Sequence, residues 1–170
     1  WFAAPFLSLW PQEAQGALRP ALFLNGTHQE TGKRVITSPV RIELGVFFDA
    51  FDFYDMVDGD VRLSTAANNS ARFTYVQPAG TLMALGRNNG HILDGGYFEN
   101  FGAITAGQIL RDVVKHLKDP EGVTVFRPFV IQISPDPDIE GEAALPLCAA
   151  PHPPPPGPDQ HGDERLRPKP

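Results

Sequence analysis

The clearest periodic pattern in the chain lies in residues 103–118. Apolar side chains recur there every three or four positions, at Ala103, Ala106, Leu110, Val113, Val114 and Leu117. This spacing places them along one side of an α-helix, and Asp119 followed by Pro120 is typical of a helix end. We therefore predict an amphipathic helix over 103–118. Residues 61–72 contain no Gly or Pro and are rich in Ala, Ser and Thr, which predicts a second, closely packed helix.

Short apolar runs predict the β-strands. Residues 21–25 end at Gly26 and are typical of a buried strand that stops in a turn, with Arg34–Thr37 as its hairpin partner. Residues 91–93 precede the helix predicted over 103–118, and residues 123–133 follow it. The order strand, helix, strand is typical of a right-handed βαβ crossover. It predicts an α/β fold with a mostly parallel central sheet.

Composition changes sharply towards the end of the chain. Residues 151–158 are mostly Pro, and residues 159–170 are charged and almost free of apolar side chains. Proline removes backbone donors, and so polar a segment cannot offset the entropy lost on ordering. We predict one domain over 1–145 and a disordered Pro-rich tail over 146–170.

Overall composition is that of an ordinary globular domain, with 42% hydrophobic and 20% charged residues among 170. A net charge of −6 and the lack of a basic block argue against a nucleic-acid partner. The single cysteine, Cys148, excludes an internal disulfide and a multi-cysteine zinc site. No apolar run approaches the ~18 residues of a membrane-spanning helix. We expect a cytoplasmic or membrane-associated protein. Because the chain starts at Trp1 without Met, we also expect it to be the carboxyl part of a longer one.

The most distinctive chemistry lies at Asp94, Gly95 and Gly96, directly after the predicted strand 91–93. Ligands gather at the carboxyl ends of strands in open parallel sheets, and two glycines permit a positive φ or a close backbone approach. The carboxylate of Asp94 would then project into a crevice. A simple Asp-Gly chain reversal explains the same three residues.

Two further segments accompany this turn. Residues 22–27 (LFLNGT), 63–73 (LSTAANNSARF) and 94–102 (DGGYFENFG) occur in this order, and together they resemble the later half of the catalytic domain of the patatin-like phospholipase family. Thr74 stands where that family usually has proline, although Pro78 supplies a nearby turn. The resemblance implies part of a three-layer α/β fold with a mostly parallel central sheet, truncated at the amino end.

The resemblance also implies a function, that of a serine acyl hydrolase with a Ser-Asp dyad and no cofactor. Asp94 maps onto the dyad carboxylate, with Gly95 and Gly96 supporting the turn. The implied partners are a lipid acyl ester and, through peripheral contact, a membrane. An oxyanion hole of backbone donors and a base within reach of the serine are what this chemistry needs.

The nucleophile is missing from this chain. None of its serines, Ser8, Ser38, Ser64, Ser70 and Ser134, lies in a Gly-x-Ser-x-Gly elbow, and no early Gly-rich loop supplies oxyanion donors. We expect both upstream of Trp1, so that the full-length protein is a carboxylic ester hydrolase and these residues alone are inactive. The alternative is a non-catalytic lipid- or protein-binding domain. A Ser-His-Asp triad would need the same missing elbow.

Other polar residues suggest weaker sites. His91 and Asp94 point to opposite faces of a strand, so we expect no direct pair, and His28 is expected to be a solvated loop residue. His116 suits the carboxyl end of its helix. No metal site is predicted from these histidines. Five aspartates at positions 49–60 lack the EF-hand spacing and predict a solvated acidic face. The aromatic residues among them predict either core packing or a lipid-facing lid, for which Phe51 and Tyr54 are the test positions.

Overall fold

The computed structural model describes residues 2–11, 19–117 and 128–133. Within these ranges the protein is α/β, with a five-stranded mixed sheet and two α-helices. The strands are β1 (Leu24–His28), β2 (Arg34–Thr37), β3 (Ala50–Asp52), β4 (Gly80–Ala84) and β5 (Arg87–Asp94), and the helices are α1 (Leu63–Ser70) and α2 (Ala103–His116). Short 3₁₀ turns occupy Leu7–Leu9, Phe53–Asp55 and Gly95–Tyr97. Both predicted helices are confirmed, each slightly shorter than expected.

The sheet has the order β3-β2-β1-β5-β4, and most of its pairings are antiparallel. Strand β1 runs antiparallel to both β2 and β5, and β4 runs antiparallel to β5. The parallel pairing is that of β2 with β3. The prediction of a mostly parallel sheet is therefore wrong, and the reason lies in two hairpins.

The hairpin of β4 and β5 was not predicted from the sequence. Its connection is Leu85 and Gly86, whose φ angles are 50° and 72°. Two positive φ angles in succession are typical of a type I′ turn, which usually has Asn or Gly at the first position. Because a leucine stands there, the pattern does not indicate a turn. The predicted strand 91–93 is thus the last part of the longer β5.

The first hairpin was predicted, but its first strand begins and ends about three residues later than expected. Strand β1 continues through Gly26 to His28, and the turn follows it, with Gly32 at φ 69°. A Cβ atom at Gly26 would lie 2.6 Å from the Cδ1 atom of Ile92. Gly26 is therefore needed for close packing against β5 and does not end the strand. The pairing of β1 with Arg34–Thr37 is confirmed.

The predicted βαβ crossover is not found in the described part of the chain. Residues 128–133, which belong to the predicted strand 123–133, form no strand there, and residues 118–127 lie outside the described ranges. The predicted tail, 146–170, lies outside them as well. No helix among the described residues is long and apolar enough to cross a membrane.

Two apolar clusters cover the two faces of the sheet. Val35 and Ile36 are adjacent in β2 and therefore point to opposite faces, and both are fully buried. The first cluster consists of Val35, Phe53, Met56, Leu82 and Ile92, and the second consists of Ile36, Ile42, Phe47 and Ala50. Ile109 of α2 packs against the second cluster. Ile92 anchors β5 in the first cluster, and β5 ends at the candidate site.

Candidate functional site

Asp94 is the last residue of β5, where that strand pairs with β1. Its backbone N–H donates to the carbonyl oxygen of Arg72 (3.0 Å), and its carbonyl oxygen accepts from the Thr27 hydroxyl (2.9 Å). Its carboxylate caps the turn Gly95–Tyr97, because Oδ1 accepts from the backbone N–H of Gly96 at 2.6 Å. The backbone and one carboxylate oxygen are thus held in place.

The two glycines of the turn are constrained differently. A Cβ atom at Gly95 would lie 2.4 Å from the carbonyl oxygen of Asn25, which is backbone and cannot move aside. A Cβ atom at Gly96 would lie 2.7 Å from Oδ1 of Asn100 and 3.0 Å from Oδ1 of Asp94, and both are ends of side chains that can shift. Neither glycine has a positive φ. Of the two sequence-based explanations, close backbone approach is therefore correct for Gly95.

Asp94 borders open space at the end of β5. It lines a cleft of about 270 Å³ together with Asn25, Ser70, Glu99 and Asn100. It also lines an adjoining cavity of about 240 Å³ walled by Phe73 and Tyr97. Among the described residues, no donor forms a hydrogen bond with its second oxygen, Oδ2. This oxygen remains available to accept a proton or a hydrogen bond from a group in the cleft.

The described serines do not use that oxygen. Ser70 borders the same cleft, but its hydroxyl donates to the carbonyl oxygen of Asn25 at 2.6 Å. Ser8 donates to the carbonyl oxygen of Pro5, and the Ser38 hydroxyl accepts from the backbone N–H of Val40. Ser64 is exposed on α1. A base that activates a serine must lie within hydrogen-bond reach of its hydroxyl, and none of these hydroxyls bonds to Asp94.

His28 and His91 take part in a separate cluster at the first hairpin. Nδ1 of His91 lies 2.5 Å from Oε1 of Glu30. The side-chain and backbone hydrogen bonds from His91 lower the pKa of Glu30 to about 2. His28 was expected to be solvated, which is wrong. Its Nδ1 bonds to Thr31, its Nε2 bonds to the carbonyl oxygen of Asn89, and the residue is 6% exposed.

A buried cation, Arg34, supports the candidate site, and it was not predicted from the sequence. Arg34 is fully buried, and its guanidinium donates to Thr105 (2.6 Å), to Gln108 (2.5 Å) and to Asp49. Burial raises the pKa of Asp49, but the hydrogen bonds from Arg34 and Gln108 outweigh this effect and hold it below its ordinary value. The sequence feature that could have indicated this buried cation is a charged residue, Arg34, at the start of the otherwise mostly apolar strand β2.

Arg34 also connects the Asp94 turn with α2. The ring of Phe98, directly after the turn Gly95–Tyr97, lies 5.0 Å from the guanidinium carbon of Arg34. Glu99 accepts from the backbone N–H of Ile104 in the first turn of α2 at 2.9 Å. Thr105, which accepts from Arg34, also bonds to the side chain of Asn25. This network holds the cleft wall in one arrangement.

The acidic and aromatic residues at positions 47–60 mostly build the structure. Asp49 is half-buried and accepts from Arg34, and Asp52 is buried and accepts from the N–H of Ile42, so the expected solvated acidic face is wrong for these two. Phe47 and Phe53 are core residues, and Phe51 and Tyr54 pack partly buried against the first cluster. This packing favours the core interpretation over a lid. Within the described ranges, no group of three or more His, Cys, Asp or Glu side chains is arranged to hold a metal ion.

Comparisons of this chain with protein-family models, with curated proteins and with solved structures found no match. The resemblance to patatin-like phospholipases therefore remains a prediction from three sequence segments. In the structure, two of those segments lie side by side, because Gly26 pairs with Asp94. The third, which contains α1, reaches the same place through the hydrogen bond from Ser70 to Asn25.

Proposed function

We propose that this chain carries the carboxylate of a lipid acyl hydrolase that resembles the patatin-like phospholipases. One observation supports this proposal above the others. One carboxylate oxygen of Asp94 is fixed by the N–H of Gly96, the other has no donor among the described residues, and the residue lines a cleft. A general base needs this combination of a fixed position and a free acceptor.

The proposed reaction has two steps that share this base. In the first step, Oδ2 of Asp94 takes the proton of a serine hydroxyl, and the serine oxygen attacks the carbonyl carbon of the ester. The leaving alcohol departs with that proton, and an acyl-serine remains. In the second step, Asp94 takes a proton from water as the water oxygen attacks the acyl-serine, the bond to the serine oxygen breaks, and the carboxylic acid is released. The proton then passes from Asp94 to the departing serine oxygen, which restores the hydroxyl and the carboxylate. The reaction needs no cofactor.

The nucleophile in this proposal comes from sequence outside residues 1–170. No serine of the chain lies in a Gly-x-Ser-x-Gly elbow, and none of the described hydroxyls bonds to Asp94. The test therefore uses the complete reading frame that contains these residues. The expressed protein is treated with a fluorophosphonate, which forms a covalent bond with activated serines, and the labelled peptide is identified by mass spectrometry.

The expected result is one labelled serine in a Gly-x-Ser-x-Gly segment, with labelling strongly slowed in the Asp94→Asn variant. Asp55→Asn is the matched control, because Asp55 is an exposed aspartate that pairs with Arg41 away from the cleft. Absence of labelling in the wild-type protein, or equal labelling in Asp94→Asn, would contradict the proposal.

A second candidate function is a non-catalytic domain that binds lipid or protein in the same cleft. The observation that favours it is the lack of any bond between a described serine hydroxyl and Asp94. In that case Asp94→Asn would leave ligand binding nearly unchanged, and the complete protein would show no turnover of acyl esters.

A further inference from the structure

Three exposed aromatic side chains stand beside the Asp94 cleft. Phe73, Tyr75 and Tyr97 are 47%, 88% and 50% exposed. The rings of Phe73 and Tyr97 are stacked, with centroids 6.3 Å apart and planes at 13°, and the centroids of Phe73 and Tyr75 lie 5.4 Å apart. Val76 beside them is 78% exposed. We call Phe73, Tyr75, Val76 and Tyr97 the aromatic rim.

The aromatic rim is fixed to the site by hydrogen bonds. The hydroxyls of Thr74 and Tyr97 lie 2.5 Å apart, and the backbone N–H of Val76 donates to the carbonyl oxygen of Phe73 at 3.0 Å. The residue before Phe73, Arg72, accepts from the N–H of Asp94. Phe73 and Tyr97 also wall the cavity that Asp94 lines. A surface that binds the aromatic rim would therefore lie at the mouth of the cleft.

The chemistry of the aromatic rim fits a neutral partner. Residues 73–86 contain no Asp, Glu, Lys, Arg or His, and residues 95–98 contain none either. An exposed apolar patch rimmed by polar groups marks an interaction site in many proteins, and tyrosine has an apolar ring with a polar tip suited to a lipid–water boundary. A net charge of −6 disfavours anionic lipids.

We propose that the aromatic rim docks on the surface of a zwitterionic phospholipid bilayer and brings the mouth of the cleft to the lipid. This inference rests on the proposed function and adds the surface through which a lipid acyl ester would reach the Asp94 cleft. The docking itself needs no turnover, so it can be measured separately from catalysis.

The test measures how the 170-residue chain partitions onto phosphatidylcholine vesicles by co-sedimentation. The rim variant is Tyr75→Ser with Val76→Ser. The control variant is Leu44→Ser with Phe48→Ser, because these apolar side chains are 69% and 71% exposed but do not line the Asp94 cleft. We expect the rim variant to bind the vesicles about tenfold more weakly than the wild type, because it loses apolar area that would contact the lipid. The control variant should bind them as the wild type does. Circular dichroism shows whether each variant folds as the wild type does.

A fluorescence measurement gives a second readout that does not depend on loss of binding. In Tyr75→Trp, phosphatidylcholine vesicles should shift the additional tryptophan emission to shorter wavelength, and brominated acyl chains should quench it. The wild-type chain supplies the background from Trp1 and Trp10.

Four results would overturn the inference. They are no binding by the wild-type chain, equal loss in the rim and control variants, stronger binding to phosphatidylglycerol than to phosphatidylcholine, and a wild-type dimer in light scattering that the rim variant dissociates. The last would assign the aromatic rim to a second copy of the chain. If vesicle binding does not depend on the aromatic rim but Asp94→Asn loses turnover, the docking inference is wrong and the proposed hydrolase function is retained. If vesicle binding depends on the aromatic rim but the complete protein shows no turnover, the result favours the non-catalytic binding domain.

Discussion

Two aspartates of this protein occupy the same local position and differ in what surrounds them. Asp52 ends β3 and Asp94 ends β5, and each caps the 3₁₀ turn that follows by accepting from the backbone N–H two residues on. The second oxygen of Asp52 accepts from the N–H of Ile42 at 3.0 Å, and the residue is 6% exposed. The second oxygen of Asp94 has no such donor among the described residues, and Asp94 lines the cleft.

The residues after each aspartate explain the difference. Phe53 follows Asp52 and fills the core, with 1% of its surface exposed. Gly95 and Gly96 follow Asp94, and their missing side chains leave the cleft open. The same capping turn is therefore packed into the core after Asp52 and borders an open cleft after Asp94. The capping interaction is the same in both aspartates, and the partner of the second oxygen is what differs between them.

The largest expected effect is on catalysis at Asp94. In the complete protein, Asp94→Asn keeps an oxygen to accept from Gly96 but cannot take a proton from serine. We expect kcat for acyl ester hydrolysis to fall by about 10²- to 10⁴-fold, the usual contribution of a general base. The thermal midpoint should stay within a few degrees of the wild type. Turnover within threefold of the wild type would remove Asp94 from the mechanism.

A large effect on stability is expected at Arg34, where the charge is wholly buried. Arg34→Met keeps a long side chain but removes the donors to Asp49, Thr105 and Gln108. Unfolding by urea should show a loss of about 3 kcal/mol, because the partners of a buried cation are left unpaired. Arg41→Met is the control, since Arg41 is 62% exposed and should change stability by less than about 1 kcal/mol. Equal losses in the two variants would contradict the structural role of Arg34.

The comparison of the two aspartates predicts a smaller loss at Asp52. Asp52→Ala leaves the N–H groups of Ile42 and Tyr54 without their acceptor, at a cost of about 2 kcal/mol. Asp94→Ala should cost about 1 kcal/mol or less, because the N–H of Gly96 is exposed and can bond to water. Chemical denaturation of both variants tests this order, and the reverse order would show that the aspartates had been assigned the wrong roles.

The smallest expected effect is on the pH dependence of stability, and it concerns Glu30, whose carboxylate is held at the surface by hydrogen bonds from His91. Its pKa in the folded protein is lowered to about 2 from 4.5. The carboxylate therefore stabilises the fold above about pH 4.5, and this contribution is lost as the pH falls towards 2. The urea midpoint of Glu30→Gln should fall less between about pH 5 and pH 2 than that of the wild type. Glu43→Gln, at an exposed site, is the control, and parallel curves for Glu30→Gln and wild type would contradict the assignment.

Sequence periodicity predicted α2 well because the apolar side chains of an amphipathic helix recur at a fixed local spacing. The pattern over 103–118 needs no knowledge of distant partners, and α2 follows it closely. The helix α1 was predicted from composition, because residues 61–72 lack Gly and Pro and are rich in small residues. The direction of the strands was not predictable in the same way. It depends on a two-residue turn at Leu85 and Gly86 that lacks the usual turn residues, and on a pairing of β1 with β5 far apart in sequence.

At the candidate site, the sequence identified the candidate carboxylate but not the residues that support it. Asp94 and the two glycines form a contiguous motif, and they lie where the motif predicts, at the end of a strand beside a cleft. Arg34 was missed because its partners, Asp49, Thr105 and Gln108, approach it only after folding. A single buried charge leaves no periodic pattern in a sequence.

The most direct test of the central claim is a crystal structure of the complete, unmodified protein, in which the serine is first identified by fluorophosphonate labelling. We expect the hydroxyl of that serine to lie about 2.6–3.2 Å from Oδ2 of Asp94, the distance a serine and its base require. A serine hydroxyl paired instead with a histidine or another carboxylate, with Oδ2 of Asp94 facing solvent, would contradict this claim.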